Sequence, residues 1–319
     1  MNTIKKNFLF LFVSLLLGGM LVSCNKATYK KTKGGMPYQL YKGKDTQQIR
    51  LGDFIKILIT QKIKDSIYFT TAGGLPQYKQ VDPSQIMPYD ISELWTSLRV
   101  GDSFVATQMM DTFIKRDPQR IPPQFKKGDK IITYVKILAV FKSDTATQAD
   151  YEKGNKDWLA GEIKSIEKFL VDKKITAQKT PSGTFVEIIS PGTGNQIDSG
   201  KYVSIKYTGT SWSGKKFDSN TDTSFGRTEL LSYVAGTPNA MIKGFDEGVQ
   251  ALQLGTKAKL YVPSMLAYGG NPNSPLIKPY ENLIFDMEIV DVKDKMPARP
   301  EMGNQPPQTQ KANVPTPNN

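Results

Sequence analysis

The stretch whose pattern says most about the fold is Met241-Ile-Lys-Gly-Phe-Asp-Glu-Gly-Val-Gln-Ala-Leu-Gln-Leu-Gly-Thr-Lys-Ala-Lys-Leu-Tyr-Val262. It predicts a short helix, then Leu252-Gln-Leu-Gly255, and then a strand over Ala258–Val262. The same order of helix, Leu-x-Val-Gly and strand occurs at Ile91–Val105. A pattern that returns in the same order indicates an internal repeat.

The sequences that flank these two stretches repeat as well. Asp53–Thr60 parallels Lys201–Thr208, and Asp129–Ile137 parallels Glu281–Ile289, in each case as an apolar strand-like segment. We interpret the chain as a diverged duplication of one β-rich domain. The alternative is two unrelated β-rich domains whose patterns coincide.

The length of the chain allows two domains, because 319 residues exceed the roughly 100–200 that one domain occupies. We place the domains at 38–143 and 181–293. Residues 144–180 change to helical character, with apolar side chains at three- and four-residue spacings between seven basic and seven acidic ones, and this predicts a helical linker. Residues 294–319 contain six Pro and few large apolar side chains, which predicts a disordered tail.

Two residue types are nearly or wholly missing, and their absence excludes many mechanisms. The chain has no His and a single Cys, Cys24. Catalytic triads with His, imidazole bases, His-ligated metals, intramolecular disulfides and Cys-based zinc sites are therefore excluded. We expect no cofactor and no metal.

The N-terminal residues have the character of an export signal. Lys5 and Lys6 precede an apolar run over Phe8–Val22, and the run ends in Leu21-Val-Ser-Cys24. This ending resembles a bacterial lipobox, so residues 1–24 are predicted to be a lipoprotein signal peptide with Cys24 as the lipidated residue. The alternative is an ordinary signal peptide with an incidental Cys. Location on the periplasmic side of a bacterial membrane is expected, with the outer membrane favoured over the inner.

The formal charge of +12 is unevenly distributed. Residues 25–37 are basic and polar and are predicted to be a flexible tether, which favours contact with anionic lipid headgroups. Residues 36–143 hold 16 Lys and Arg against 10 Asp and Glu, whereas 181–293 hold 10 against 11. Because the chain has no nucleic-acid-binding motif, we expect no nucleic acid partner.

The region 181–293 resembles the FK506-binding-protein (FKBP) family of peptidyl-prolyl cis-trans isomerases. Seven motifs occur in the family's order and spacing, and together they are far more specific than any one alone. They are Ile189-Ser-Pro-Gly-Thr-Gly194, Ile205-Lys-Tyr-Thr-Gly209, Gly214-Lys-Lys-Phe-Asp-Ser219, Met241-Ile-Lys-Gly-Phe-Asp-Glu-Gly248, Gly255-Thr-Lys-Ala-Lys-Leu260, Ala267-Tyr-Gly269 and Leu283-Ile-Phe-Asp286. The resemblance implies an α+β fold, a twisted antiparallel sheet wrapped around a short helix at Gly244–Leu252. With the duplication, it implies two FKBP-like domains joined by a helical linker.

The resemblance also implies a prolyl pocket and names its residues. Asp218 is expected beside the twisting carbonyl and the Tyr268 hydroxyl as a hydrogen-bond donor to the substrate. The Ile242 N–H is expected to hold a substrate carbonyl. Phe245 stands where many members have Trp, and Asn273 falls about where some have His. The pocket walls are expected from Tyr207, Phe217, Phe245 and Phe285, and the apolar rim from Met241, Ile242, Leu276 and Ile277. Asp222, Arg227 and Glu229 are interpreted as charges of a surface loop.

The first copy, 38–143, keeps the framework and loses these pocket residues. Ile59 stands where the second copy has Tyr207, Thr133 where it has Phe285, and Ile67-Tyr68 or a near neighbour where it has Phe217-Asp218. We predict that this domain is not catalytic and contributes binding. The alternative is a passive spacer.

The resulting hypothesis is a prolyl isomerase that assists the folding of exported proteins by desolvating and stabilising a twisted X–Pro amide. Its expected partners are proline-containing unfolded or nascent polypeptides, the membrane through the lipid anchor, and macrolide inhibitors of the FK506 type. The alternative is a lipid-anchored chaperone or peptide-binding protein with little or no isomerase activity.

Overall fold

A computed structural model describes residues 28–296 of the chain. These residues divide after Gly161 into two compact units. The predicted signal peptide, Cys24 and nearly all of the predicted tail lie outside the described residues. Within residues 28–296, no helix is both long and apolar enough to cross a membrane.

The first unit is built on one antiparallel sheet. Its strands are β1 (Thr28–Lys31), β2 (Pro37–Tyr41), β3 (Phe54–Ile63), β4 (Ser66–Thr70), β5 (Gln77–Gln80), β6 (Ser103–Met109) and β7 (Lys130–Phe141). They are ordered β1-β2-β6-β7-β3-β4, and β5 also pairs with β3. The unit also contains helix α1 (Met110–Arg116) and 3-10 helices at Pro83–Gln85, Ile91–Ser97 and Pro118–Arg120. The prediction of a flexible tether over 25–37 is wrong for β1, which is polar but pairs along its whole length with β2.

The second unit repeats this design. Its strands are β8 (Gln178–Lys179), β9 (Phe185–Ser190), β10 (Tyr202–Ser211), β11 (Lys216–Ser219), β12 (Leu231–Val234), β13 (Lys257–Val262) and β14 (Leu283–Lys293). They are ordered β11-β10-β14-β13-β9-β8, and β12 also pairs with β10. Helix α3 spans Lys243–Gln250, and 3-10 helices occupy Thr223–Phe225 and Ser264–Leu266. Helix α2 (Asp144–Lys173) begins in the first unit and ends in the second.

The two sheets share one topology, strand for strand. Even the irregularities agree, since the register shifts between Lys56 and Ile57 on β3 and between Ser204 and Ile205 on β10. Each unit also has an isolated bridge outside its named strands, Gln48 with Arg99 and Gln196 with Gln253. The predicted α+β fold of two like domains is confirmed.

A short helix in each unit packs on the sheet, but the two helices differ in type. In the second unit α3 approaches β13 so closely that a Cβ on Gly248 would lie 2.4 Å from a methyl carbon of Leu260. In the first unit the helix predicted at 91–98 is a 3-10 helix that buries Trp95 against Phe104. Its first turn is capped by the Asp90 carboxylate, which accepts a hydrogen bond from the Ser92 N–H at 2.8 Å.

Each end of α2 packs onto the sheet of its own unit. Near its start, the Asp150 carboxylate accepts hydrogen bonds from Lys56 Nζ at 2.7 Å and from the Tyr78 hydroxyl at 2.5 Å. Past the division, Ile166 and Leu170 are buried in a cluster with side chains of β9 and β13. The segment predicted as a linker is therefore partly integral to both units.

Candidate active site

Four aromatic side chains of the second unit form one contiguous cluster between the sheet and α3. Phe245, on α3, is 1% exposed, and Phe285, on β14, is 4% exposed. Their ring centroids lie 5.1 Å apart at 80°, and Phe217 meets Phe285 at 5.7 Å and 89°. Tyr207 meets Phe245 at 6.2 Å and 78°. These edge-to-face contacts make an aromatic, water-poor patch, and they bring together all four residues predicted as pocket walls.

Gly209, which pairs with Phe285 across β10 and β14, makes this cluster sterically possible. A Cβ at Gly209 would lie 2.6 Å from Phe217 Cζ and 3.1 Å from Phe285 Cε1. Any larger residue would therefore push these two rings apart.

Asp218 borders the cluster and is held by two partners. The Tyr207 hydroxyl donates to Asp218 Oδ2 at 2.6 Å. The Arg227 guanidinium pairs with Asp218 Oδ1 and also donates to the Tyr207 hydroxyl at 3.1 Å. Partial burial raises the pKa of Asp218, but the hydrogen bonds from Arg227 and Tyr207 outweigh it and hold that pKa below its usual value. The carboxylate is thus ionised and fixed in direction.

Arg227 contacts the site, although the sequence indicates only a charge of a surface loop. It lies nine residues after Asp218 in a loop that turns back toward β11, and its guanidinium reaches both Asp218 and Tyr207. The interpretation of Arg227 as a loop charge is wrong. One feature of the sequence does indicate this pairing: Arg227 is the one basic residue in the loop 220–228, which follows the pocket carboxylate Asp218.

Tyr268 lies within electrostatic reach of this polar edge. Burial raises the pKa of Tyr268; a hydrogen bond with Asn273 lowers it, and the charge of Asp218 raises it further. The residue follows the 3-10 helix Ser264–Leu266, which orients the chain into the predicted Ala-Tyr-Gly motif. Tyr268 is therefore close enough to Asp218 and Tyr207 for their charges to influence one another, and its place in one site with them remains a prediction.

The predicted rim residues lie at different depths. Ile242 caps α3, and its carbonyl accepts from the Phe245 and Asp246 N–H groups, both at 3.1 Å. Its own N–H has no hydrogen-bond partner among the described residues, so it can donate to a ligand. Met241 is half-buried beside it. In the loop before β14, Leu276 is exposed, whereas Ile277 is buried.

The arrangement suits binding of an apolar ring and orientation of a peptide rather than bond-breaking chemistry. It combines an aromatic floor, an ionised and paired carboxylate, a phenol and a free backbone N–H. Among residues 28–296, no group of three or more acidic or thiol side chains is placed to hold a metal ion.

The same place in the first unit has a different chemistry. Gln61 pairs with Phe69 as Gly209 pairs with Asp218, so Tyr68 and Phe69 stand for Phe217 and Asp218. This is one residue beyond the predicted Ile67-Tyr68. Gln61 also pairs with Thr133, the counterpart of Phe285. Thr133 is fully buried, and its hydroxyl accepts from Gln61 Nε2 at 3.4 Å. The first unit therefore has no carboxylate in the place of Asp218 and no aromatic ring in the places of Tyr207 and Phe285.

Comparison with known proteins shows which proteins this chain is similar to. The family described as FKBP-type peptidyl-prolyl cis-trans isomerase matches residues 194–290. The isomerase FkpA of Escherichia coli is 34% identical over 159 residues, which are 49% of this chain and 55% of FkpA, so the chain spans about half of that relative. The crystal structure of FkpA aligns with 33% identity over 47% of this chain and 65% of FkpA, with a TM-score of 0.35.

A shorter relative is matched almost completely. An FK506-binding protein of Neisseria meningitidis serogroup B is 36% identical over 110 residues, which are 34% of this chain and 96% of that protein. The residues matched by the family model, 194–290, include the aromatic cluster, Asp218 and Tyr268. Because the Neisseria relative is 36% identical and almost wholly covered, the chain belongs to the family of FKBP-type peptidyl-prolyl cis-trans isomerases.

Proposed function

We propose that the second unit catalyses cis-trans isomerisation of X–Pro peptide bonds. The observation that carries the proposal is the aromatic cluster of Tyr207, Phe217, Phe245 and Phe285 with an ionised Asp218 at its border. Rotation about X–Pro faces a barrier of about 18–20 kcal/mol, because amide resonance must be broken. No bond forms or breaks, so no nucleophile or base is required.

The proposed mechanism stabilises the twisted amide over the planar one. A planar amide is more charge-separated and better solvated than a twisted one, so a pocket that excludes water favours the twisted form. Phe245 forms the floor on which the prolyl ring packs. Loss of conjugation leaves the carbonyl carbon electron-poor, and the Asp218 carboxylate stabilises it. The Ile242 N–H and the Tyr268 hydroxyl hold the neighbouring carbonyls and fix the peptide around the rotating bond.

The duplication supplies a matched control for a test of this proposal. Phe217→Ala removes a wall of the cluster, and Tyr68→Ala removes its counterpart in the first unit. In a protease-coupled isomerisation assay with Xaa-Pro tetrapeptides, we expect Phe217→Ala to lower kcat/KM about tenfold or more and Tyr68→Ala to leave it unchanged. Equal activity of wild type and Phe217→Ala would show that the cluster is not the site.

We also propose that the substrates are exported proteins and that the enzyme is tethered on the periplasmic side of a membrane. The support is the sequence of residues 1–24 with its single Cys. Cells expressing the full chain are labelled with a fatty-acid analogue, and Cys24→Ser should abolish the label. Labelling that persists in Cys24→Ser contradicts the anchor, because the chain has no other Cys.

Macrolides of the FK506 type are proposed as ligands of the same pocket. The support is the family and a relative named as an FK506-binding protein. FK506 should inhibit peptide isomerisation in competition with substrate. If FK506 binds but inhibition is non-competitive, the macrolide occupies another site.

A further inference from the structure

Strand β4 of the first unit presents three consecutive large apolar side chains to solvent. Ile67 is 61% exposed, Tyr68 60% and Phe69 37%. β4 is the last strand in the order of its sheet, and its outer edge has no partner strand among the described residues. We call Ile67, Tyr68 and Phe69 with this free backbone edge the β4 edge.

In the second unit, the strand that corresponds to β4 carries charged side chains at two of these positions. Its counterpart β11 is also a terminal strand, but Lys216 and Asp218 stand in register where β4 has Ile67 and Phe69. Charges on an edge strand discourage pairing with other chains. In the first unit, apolar side chains stand at both of these positions, and they are exposed. An exposed apolar patch of this kind marks an interaction surface.

A basic loop lies against the β4 edge. The Phe125 ring meets the Tyr68 ring at 5.5 Å and 78°, and Lys64 Nζ donates to the carbonyl of Gln124 at 3.1 Å. Residues 114–130 hold six Lys and Arg against two Asp. Lys126 and Lys127, directly after Phe125, are exposed. The positive charge of this loop therefore lies beside the β4 edge.

We propose that the β4 edge binds extended segments of unfolded polypeptide that combine apolar and acidic side chains. An added strand satisfies the free N–H and C=O groups of β4 and covers Ile67 and Phe69, while acidic side chains meet the basic loop.

Two other occupants fit the surface less well. A bilayer cannot satisfy unpaired backbone groups, which are costly in hydrocarbon. A second copy of this chain that docked here would bring its own positively charged loop to the same surface, and the like charges of the two loops would repel. This binding is separate from the isomerase site and does not depend on it.

The test uses the full chain and one defined probe. The probe is fluorescently labelled α-lactalbumin, an acidic protein kept unfolded by reduction and carboxymethylation, and binding is followed by fluorescence anisotropy at low salt. Ile67→Thr/Phe69→Thr places β-branched side chains, which favour strands, at both positions and removes apolar area. We expect this variant to raise Kd about tenfold or more. Leu51→Thr, at an exposed turn of the same unit, is the control and should bind as wild type does.

Two further variants test the apolar and the basic part of the surface separately. If thermal unfolding shows that the double variant is not folded, Ile67→Lys, a single change at an exposed position, replaces it with the same expectation. Lys126→Ala/Lys127→Ala should slow association at low salt but not at 1 M salt, because charge steering is screened. Wild-type affinity in Ile67→Lys overturns the proposal. So does a wild-type chain that leaves the probe unbound and instead sediments with anionic vesicles or forms dimers through these residues.

Discussion

Phe285 is the residue on which the aromatic cluster centres, since its ring meets both Phe217 and Phe245. Phe285→Ala opens a void in a wall that is almost wholly buried. Such a change costs about 3–5 kcal/mol in protein cores, and the remaining wall grips a prolyl ring poorly. We expect kcat/KM for Xaa-Pro peptides to fall at least tenfold and the urea midpoint to decrease. Phe285→Leu, which refills part of the void, should recover part of both, and a Leu variant no better than Ala would contradict this account.

The pKa of Asp218 predicts how the activity depends on pH. A carboxyl whose folded pKa is lowered stabilises the fold above its unfolded pKa of about 3.9 and loses this contribution as pH falls through the folded value. Burial raises the pKa of Tyr207, and the hydrogen bond to Asp218 raises it further. With no His in the chain, kcat/KM should be flat between about pH 5 and 9.

Arg227 sets the acid limit of that profile. Arg227→Gln removes a charge that lowers the pKa of Asp218, so the fall in kcat/KM on acidification should begin at higher pH. Lys216→Gln, in the neighbouring pair with Asp222, is the control and should leave the profile in place. A profile of Arg227→Gln that coincides with wild type would mean that Asp218 ionisation does not limit the reaction.

At the level of elements, helix α2 supports the segment that carries Tyr268. The buried Glu162 carboxylate accepts hydrogen bonds from the Ser264 hydroxyl and, at 3.1 Å, from the Met265 N–H. Both donors belong to the 3-10 helix that precedes Tyr268. Glu162 is therefore a positioning residue for the phenol rather than a catalytic one.

A double-mutant cycle measures this positioning. Glu162→Ala should lower kcat/KM several-fold in the wild type and have little effect in a Tyr268→Phe background, since the effect acts through the hydroxyl. Lys164→Ala, at an exposed position of the same helix, should be silent in both. An equal loss in both backgrounds would mean that Glu162 acts on stability alone.

How far the elements could be predicted depends on their apolar pattern. The apolar segments Asp53–Thr60 and Asp129–Ile137 predict strands, and they lie almost wholly within β3 and β7. The segment Lys201–Thr208 likewise predicts β10, but the strand extends further to Ser211, because its polar end is held by pairing with β14. β1 has no apolar pattern and forms through its pairing with β2. The pocket aromatics could be named from the spacing of motifs, whereas Arg227 could not, because its proximity to Asp218 arises from a loop path.

At the scale of the whole molecule, the second unit extends beyond the predicted domain. Ile166 and Leu170 of α2 cover Phe185 and Tyr261. Fragment 148–293 should fold alone and isomerise peptides, whereas 181–293 should be less stable by about 3–6 kcal/mol, the value of burying two large aliphatic side chains. Urea unfolding of the two fragments measures the difference. Equal stability would show that α2 does not contribute to the second core.

The first unit is predicted to matter for proteins and not for peptides. Removal of residues 38–143 should leave tetrapeptide turnover nearly unchanged, because the aromatic cluster and its partners all lie in the second unit. The same deletion should slow the proline-limited refolding of a whole unfolded protein at low salt. Equal refolding rates with and without these residues would favour the passive spacer.

The continuity of α2 across the division of the units affects how the chain withstands unfolding. A helix has a costly nucleus and inexpensive extension, so a helix held at either end is nucleated for its whole length. When one unit opens, the half of α2 that it held can still extend from the half docked on the other unit, and reclosing begins from an ordered template. The helix that both units hold thus keeps part of its structure when either unit opens, and this favours rapid reclosing.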